Sequence, residues 1–462
     1  MSLAQLLAPD SPVMELARSF EAAGSRLYLV GGFVRDTLMG RTKTSTDYDF
    51  ATDAPPEKTL EIVKPVAEHV WLQGMEFGTV GAKIGSLNCE ITTFRTERYQ
   101  PSSRHPDVSF AADIETDLSR RDFTVNAIAV ELPKQEAIDP HGGVADIHAR
   151  ILKTPIDPRE SFTDDPLRML RAFRFVSQLG FDVAPEVLTA ITELREELGK
   201  ISAERIRDEL SRLLVGAHPR RALELADGSG LTDLFLPELS ALKLEQDPVH
   251  QHKDVFKHTL VVVEGTEPTL ELRLAALLHD IGKPRTREIG DDGVSFHNHQ
   301  IVGAKMAKKR LQALRFPNET VETVRQVIYL HHRFHGFDRA VWSDSAVRRY
   351  VHDAGENLEL LNKLVRADCT TRNKAKARRL SERMDELEER IEQLEADEEI
   401  KRLRPELDGR QVMERLNLEP GPSVGKAMKF LMEIRLDEGI LGEDEIGRRL
   451  GEWAAENLPP AP

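Results

Sequence analysis

Two groups of residues in this chain have types and spacings that could hold divalent cations and use them in chemistry. In the first, Asp47 and Asp49 flank Tyr48. Residues two apart on a strand face the same side, so both carboxylates could hold a divalent cation together. Glu90 stands between Cys89 and Ile91 in an apolar run, and a carboxylate buried there would need a metal or a basic partner. Gly31-Gly32 closes a short apolar run, Leu27 to Val30, just before a segment that reads as a helix start. Glycines in that place let backbone amides approach a phosphate. Carboxylates that clamp cations, beside a phosphate cradle, are what two-metal phosphoryl transfer requires. An isolated Asp-x-Asp or Gly-Gly is ordinarily a polar loop or a turn; the weight lies in the ordered set. In the second group the apolar run Leu274 to Leu278 ends in His279-Asp280, and Gly282 and Pro284 then stop the helix. Burying imidazole and carboxylate together calls for a cation. His258, His299, His331, His332 and Asp368 supply further ligand types.

The elements that must position these groups fall into two kinds. Residues 1–25 read as a short amphipathic helix. Leu27 to Val30, Tyr48 to Ala51, Thr79 to Ile84, Cys89 to Phe94 and Ala127 to Leu132 read as strands bounded by Gly, Pro or Asn, with a helix over Pro56 to Val70. That is a small α+β domain with a mixed sheet. After Pro155 strand signals disappear, and from Asp165 onward the apolar periodicity is helical. Leu380, Met384, Leu387, Ile391 and Leu394 predict a long helix packed on the body rather than a coiled coil, since they cover only about two heptads.

Glycines, then Asp-x-Asp, then a lone strand acid resemble the DNA polymerase beta nucleotidyltransferase superfamily. Leu29-Val30-Gly31-Gly32-Phe33-Val34-Arg35-Asp36 with Asp47-Tyr48-Asp49 resembles the first motif of class II tRNA nucleotidyltransferases and bacterial poly(A) polymerases. Arg120-Arg121-Asp122-Phe123-Thr124-Val125-Asn126-Ala127 is similar to their second motif. Asp139-Pro140 through Gly142-Gly143 and Asp146 is similar to their hinge segment, Asp164-Asp165-Pro166-Leu167-Arg168 to the base-selecting motif, and Ala203-Glu204-Arg205-Ile206 to Leu210 to the last motif. The family ordinarily has Glu where this chain has Asp164. The resemblance implies catalytic carboxylates Asp47, Asp49 and Glu90, with magnesium on Asp47 and Asp49. It implies a nucleotide site of Gly31, Gly32, Arg35, Arg121, Asp122, Asn126, Asp165, Arg168, Arg171 and Arg174. The substrates implied are tRNA, CTP and ATP. The spacing of Asp165 and Arg168 suits the task, because residues three apart share a helix face. A carboxylate accepts from an exocyclic amino group while a guanidinium donates to a ring acceptor, so one pair can serve both C and A. A helix cap with a surface arginine is the plain alternative. The segment Leu72 to Val80, with Phe77-Gly78-Thr79, looks more like the CCA-adding branch than the poly(A) branch. Arg95 to Asp107, with Arg98, Arg104 and His105, would be the family's flexible loop.

The histidine cluster resembles the HD phosphohydrolase superfamily. His258, His279, Asp280 and Asp368 match its primary metal site, and His299 and His331 its accessory ligands, with His332 an alternative to His331. Imidazole-rich ligation implies a transition metal such as manganese, cobalt or nickel.

The expected organisation is a polymerase-beta-like head over residues 1–152, a helical neck over 153–245, an HD domain over 246–380 and a helical tail over 381–462, in which Pro405 to Gly439, including Leu418 to Pro422, resembles the family's tail and would approach tRNA. With 462 residues and 40% hydrophobic content the chain can bury a sizeable core. A net charge of −15 argues against nucleic-acid binding by the whole surface but not against a local basic face. No apolar stretch is long enough for a bilayer, Met1 to Asp10 carries no signal pattern, and there are two cysteines, Cys89 and Cys369. These features predict a cytoplasmic protein with no membrane association, no disulfide scaffold and no evident stable protein partner. Three functions compete: CCA addition to tRNA, a partial activity (CC addition, A addition or poly(A) synthesis), and an HD phosphohydrolase whose head only binds RNA. The Asp47, Asp49 and Glu90 set weighs against the third.

Overall fold

The computed structural model describes residues 3–41, 47–98, 107–111, 113–244, 254–291, 293–336, 342–369, 374–398, 400 and 403–458. The chain divides into two compact units, Met1–Pro237 and Glu238–Pro462.

The first unit is built on a seven-stranded mixed sheet. Its strands are β1 (Leu27–Val30), β2 (Asp47–Thr52), β3 (His69–Trp71), β4 (Thr79–Ile84), β5 (Leu87–Thr93), β8 (Ala129–Leu132) and β9 (Glu136–Ile138), with β6 (Arg95–Arg98) and β7 (Asp107–Phe110) forming a separate ladder. The order is β3-β4-β5-β2-β1-β8-β9, and β2–β5 is its parallel pair. One packed face gathers Tyr28, Val30, Ala51, Phe94, Ile114, Leu118, Ala127 and Ala129. Tyr28 and Phe94 meet there with ring centroids 5.6 Å apart. This fold is the expected α+β class.

Local differences from the sequence reading have identifiable causes. The N-terminal helix is two pieces, Leu3–Leu6 and Pro12–Ala22, and Ser11 caps the second by accepting from the Met14 amide at 3.2 Å. The helix at Pro56 ends at Val63 rather than Val70, because Pro65 cannot continue it, and Val70 enters β3. After residue 152 the unit is helical apart from β11 (Asp182–Val183), which pairs in parallel with β10 (Ile151–Leu152). The helix Leu167–Leu179 is the centre of this part and is buried along most of its length.

The second unit is helical but also carries a hairpin, β12 (Arg287–Gly290) with β13 (Gly293–Phe296). Its strands, Arg287-Glu288-Ile289-Gly290 and Gly293-Val294-Ser295-Phe296, are short and mixed in polarity, so they leave no apolar run of the kind that marks β1. The long helix Lys374–Glu398 buries Met384, Leu387, Ile391 and Leu394, as its spacing predicts. The terminal helices Gly409–Leu416, Pro422–Glu438 and Glu443–Asn457 share a small core of Leu407, Val412, Ala427, Leu431, Ile446 and Leu450. No helix among the described residues is long and apolar enough to cross a membrane.

Candidate functional site

In the first unit β2 and β5 run in register, with Asp49 opposite Glu90 and Asp47 opposite Asn88. Strand alternation turns Tyr48 and Cys89 into the core and leaves Asp47, Asp49 and Glu90 on the open side. Glu90 is therefore exposed, not buried as its apolar neighbours had led us to expect. Its carboxyl is still raised above the usual range, first by partial desolvation and then by the negative charges of Asp49 and Asp47. Mutually repelling carboxylates on one face suit a shared cation. The Asn88 amide steadies this edge by donating to Asp47 Oδ1 at 2.9 Å.

Gly31 follows β1 with φ of 78°, a left-handed value that favours glycine. A Cβ there would stand 3.1 Å from Asp49 Oδ2 and 3.6 Å from Arg121 Nη1. The glycine thus lets the strand end close against a carboxylate and a guanidinium. Gly32 begins the helix Gly32–Leu38.

A buried polar chain links this helix to Leu167–Leu179. Arg35 pairs with Asp36 at 2.7 Å and donates through Nη1 to Asn126 Oδ1 at 2.7 Å. Asn126 Nδ2 donates to Asp122 Oδ1 at 2.9 Å, and Asp122 Oδ2 accepts from Arg171 Nε at 2.9 Å. Burial pushes the Asp122 carboxyl up, but the Arg171 charge and the Asn126 amide outweigh it and hold the group well below the usual carboxylate range. Arg174 donates to Glu209 at 3.2 Å and lies 4.2 Å from the centre of the Phe175 ring. Burial, with the like charge of Arg171, brings its guanidinium down to about 10.

Asp165 does not sit on the helix with Arg168. It lies between the helices Pro158–Asp164 and Leu167–Leu179 in extended backbone, because Pro166 follows it. Its Oδ1 accepts from the Leu167 amide at 3.2 Å, which is a capping contact, and its Oδ2 accepts from Arg205 at 2.9 Å. Arg168 donates to Ser161 Oγ at 2.8 Å and to the Arg120 carbonyl at 2.5 Å. The expected loop after Arg95 is described only at its ends, where β6 pairs with β7; Arg104 and His105 lie outside the described residues.

In the second unit six expected ligands converge. His258 comes from the helix Val255–Gly265, His279-Asp280 directly follows Leu270–Leu278, His299 opens His299–Ala313, His331 follows Asn318–Leu330, and Asp368 ends Leu358–Asp368. His258 Nε2 is 2.8 Å from Asp368 Oδ1, and His279 Nε2 is 3.2 Å from Asp280 Oδ2. The other carboxylate oxygen, Asp280 Oδ1, faces His299 Nε2 at 3.6 Å, and His299 and His331 bring their Nε2 atoms to 3.4 Å. Asp280 therefore serves both possible ligand groups, His258–His279–Asp280 and Asp280–His299–His331.

The local backbone orients these rings. Nδ1 of His279, His299 and His331 lies 2.8, 2.9 and 2.6 Å from the carbonyls of Ala276, Phe296 and Ile328, each three residues upstream. A proton held on Nδ1 leaves the Nε2 lone pair facing the cluster, the form that ligates a metal. His279 Nε2 is buried 3.2 Å from Asp280 Oδ2 and 3.6 Å from Asp368 Oδ1 without a well-directed hydrogen bond to either. Burial alone would lower the His279 imidazole, but the carboxylates of Asp280 and Asp368 push it up to about 10. Burial and the charge of His279 bring His331 down to about 3. A divalent cation would take the place of the His279 proton beside these carboxylates, and the donor set fits one. His332 is exposed while His331 is buried, which places His331 within the cluster. Sequence reading passed over Lys283, whose Nζ lies 2.7 Å from Asp280 Oδ2; its place one helical turn after Asp280 was the available signal.

Three family models match the chain: the poly A polymerase head domain over residues 27–153, the probable RNA and SrmB-binding site of polymerase A over 180–243, and the HD domain over 255–394. An A-adding tRNA nucleotidyltransferase of Deinococcus radiodurans is 33% identical over 449 residues, covering 93% of this chain and 96% of that protein. A CCA-adding enzyme of Lactobacillus helveticus is 40% identical over 213 residues, but that match covers only 46% of this chain and 52% of the relative. Among solved structures, the Bacillus stearothermophilus CCA-adding enzyme in complex with CTP is 26% identical, covers 97% of this chain and 98% of its own, and superposes with a TM-score of 0.68. The Thermotoga maritima CCA-adding enzyme complexed with tRNA has the same fold, with a TM-score of 0.59 at 19% identity and 98% coverage of both chains.

Proposed function

The chain belongs to the tRNA nucleotidyltransferase family and is an enzyme of nucleotidyl transfer; from that premise we propose that it adds C, C and A to the 3′ end of tRNA from CTP and ATP. The observation that carries this reading is the set Asp47, Asp49 and Glu90 on one open side of the sheet, with Gly31 and Arg121 beside it. Asp47 and Asp49 would hold magnesium, a hard cation suited to carboxylates. Bound there, it would activate the attacking hydroxyl and neutralise the departing pyrophosphate. The remaining work belongs to the chain's own side chains. Arg121 supplies positive charge next to the phosphate cradle. Arg35, Asn126, Asp122 and Arg171 form a preorganised polar wall that needs little reorganisation when nucleotide enters. Asp165 and Arg168 would offer a carboxylate and a guanidinium to the base edge, matching the amino group and ring acceptor that C and A share, in exchange for the Arg205, Ser161 and Arg120 contacts they make without nucleotide.

A second reading, addition of A alone, is favoured by the full-length match to the A-adding relative. The deciding experiment supplies tRNA that lacks its last three nucleotides, and tRNA ending in CC, with CTP and ATP singly and together, and sequences the products. CTP incorporation followed by A supports the first reading. Extension of the CC-ended tRNA alone, with ATP alone, selects the second.

For the second unit we infer a metal-dependent phosphohydrolase site on His258, His279, Asp280, His299, His331 and Asp368. The inward-facing Nε2 atoms, with His279 Nε2 buried between the Asp280 and Asp368 carboxylates, support it. Manganese, cobalt or nickel would suit that donor set and would polarise a phosphoryl oxygen when bound. The test is hydrolysis of phosphomonoesters and 2′,3′-cyclic nucleotides with each metal in turn. No hydrolysis under any metal would leave the cluster as a structural cation site.

A further inference from the structure

Asp117 lies in the helix Ile114–Ser119 and is 1% exposed. Both of its oxygens are used. Oδ1 accepts from Arg120 Nε at 3.0 Å and Nη2 at 2.8 Å, and Oδ2 accepts from Arg121 Nη2 at 3.1 Å. The spacing is the physical reason: Arg120 and Arg121 follow at i+3 and i+4, where side chains return to one helical face. The two arginines then diverge in what they reach. Arg121 Nη1 approaches Gly31, beside Asp49, while its buried Nε has no hydrogen-bond partner. Arg120 offers its main-chain carbonyl to Arg168 Nη2 at 2.5 Å. One buried carboxylate therefore stands behind both ends of the nucleotide site. It also accepts from the Arg95 amide at 3.4 Å, at the first residue of β6.

We propose that Asp117 is a positioning residue for transfer, fixing Arg121 on the phosphate side and, through the Arg120 main chain, Arg168 on the base side. This rests on the reading above that Arg121 meets the triphosphate and Arg168 the base. Two charge-assisted bonds hold Arg120 and one holds Arg121, and such bonds are stronger and more directional than neutral ones.

The test is Asp117→Asn, which keeps the shape and removes the charge, assayed on full-length protein with tRNA. The expected result is a rise of about tenfold in KM for CTP and ATP, with more UTP and GTP misincorporation and a smaller change in kcat. A merely structural role would reduce the active fraction, lowering kcat while leaving KM and selectivity alone; that result overturns the proposal. Asp117→Asn in an Arg121→Gln background should then raise KM no further, because the two residues act as one unit. Additive effects would refute the coupling. If Asp117→Asn does not fold, Arg120→Gln separates the arms: misincorporation should rise while KM stays near wild type, and unchanged selectivity overturns the base-side half. Arg121→Gln alone identifies which premise is at fault. Unchanged KM in that variant removes the phosphate-side reading itself, whereas raised KM there with unchanged KM in Asp117→Asn removes only the role of Asp117.

Discussion

Replacing Gly31 by Ala should separate catalysis from stability in a way that a paired control makes quantitative. Gly31 has φ of 78° and ψ of −147°, a region that residues with a side chain rarely enter, so the new methyl should destabilise the first unit by about 1–3 kcal/mol. It would also stand 3.1 Å from Asp49 Oδ2, closer than ordinary contact. The end of the Asp49 side chain must give way, since the strand behind it is held by β1 and β5. Displacing a catalytic group by up to about 1 Å lowers turnover roughly ten- to a hundredfold. Gly24 is the control. It has φ of 70° but open space around its missing Cβ. Gly24→Ala should carry a strain of about 1–2 kcal/mol with no steric consequence for the site. The assay is urea unfolding of both variants beside single-turnover CTP incorporation and tRNA binding. Comparable destabilisation with turnover loss confined to Gly31→Ala is the expected pattern. Wild-type turnover in a folded Gly31→Ala protein would refute the placing of Asp49 at the chemistry.

Three further outcomes follow from the same geometry. Asp47→Asn or Asp49→Asn should reduce nucleotide addition roughly a thousandfold, several kcal/mol of transition-state stabilisation, while gel-shift affinity for tRNA is retained; near-normal turnover would exclude these carboxylates. Asp280→Asn should abolish bound transition metal by elemental analysis and any phosphate-ester hydrolysis, yet leave nucleotide addition within about twofold; lost addition in a folded variant would show that the sites are coupled. Asp122 is held below its unfolded value of about 3.9, so its contribution to stability is present above that pH and is lost as pH falls below about 4. Asp122→Asn should accordingly be less stable at pH 7 by about 3 kcal/mol, and its deficit should shrink on acidification. A deficit that stays constant from pH 7 to pH 3 would show that the ion pair with Arg171 is not its source.

The strands β1, β2, β4, β5 and β8 were legible in the sequence because each is a compact apolar run closed by a turn former, and strand periodicity is local. The common side of Asp47 and Asp49 followed from the same periodicity, as did the buried face of the helix Lys374–Glu398. The order of the ligand types His258, His279-Asp280, His299, His331 and Asp368 could also be read directly. What periodicity cannot supply is which distant segment lies alongside. Parallel pairing of β2 with β5 decided that Glu90 stands beside Asp49 on an open face, against the expectation of burial. The proline after Asp165 and the remote Arg205 decided that this carboxylate is a paired helix cap rather than one corner of a helical face. Burial separated His331 from its neighbour His332, two residues of identical type that sequence alone could not rank. Types and spacings along the chain thus determined the possible chemistry. Which groups come close enough to bond one another, or to hold one ligand together, was decided by tertiary packing, because those interactions reach only a few ångströms through space and are blind to separation along the chain.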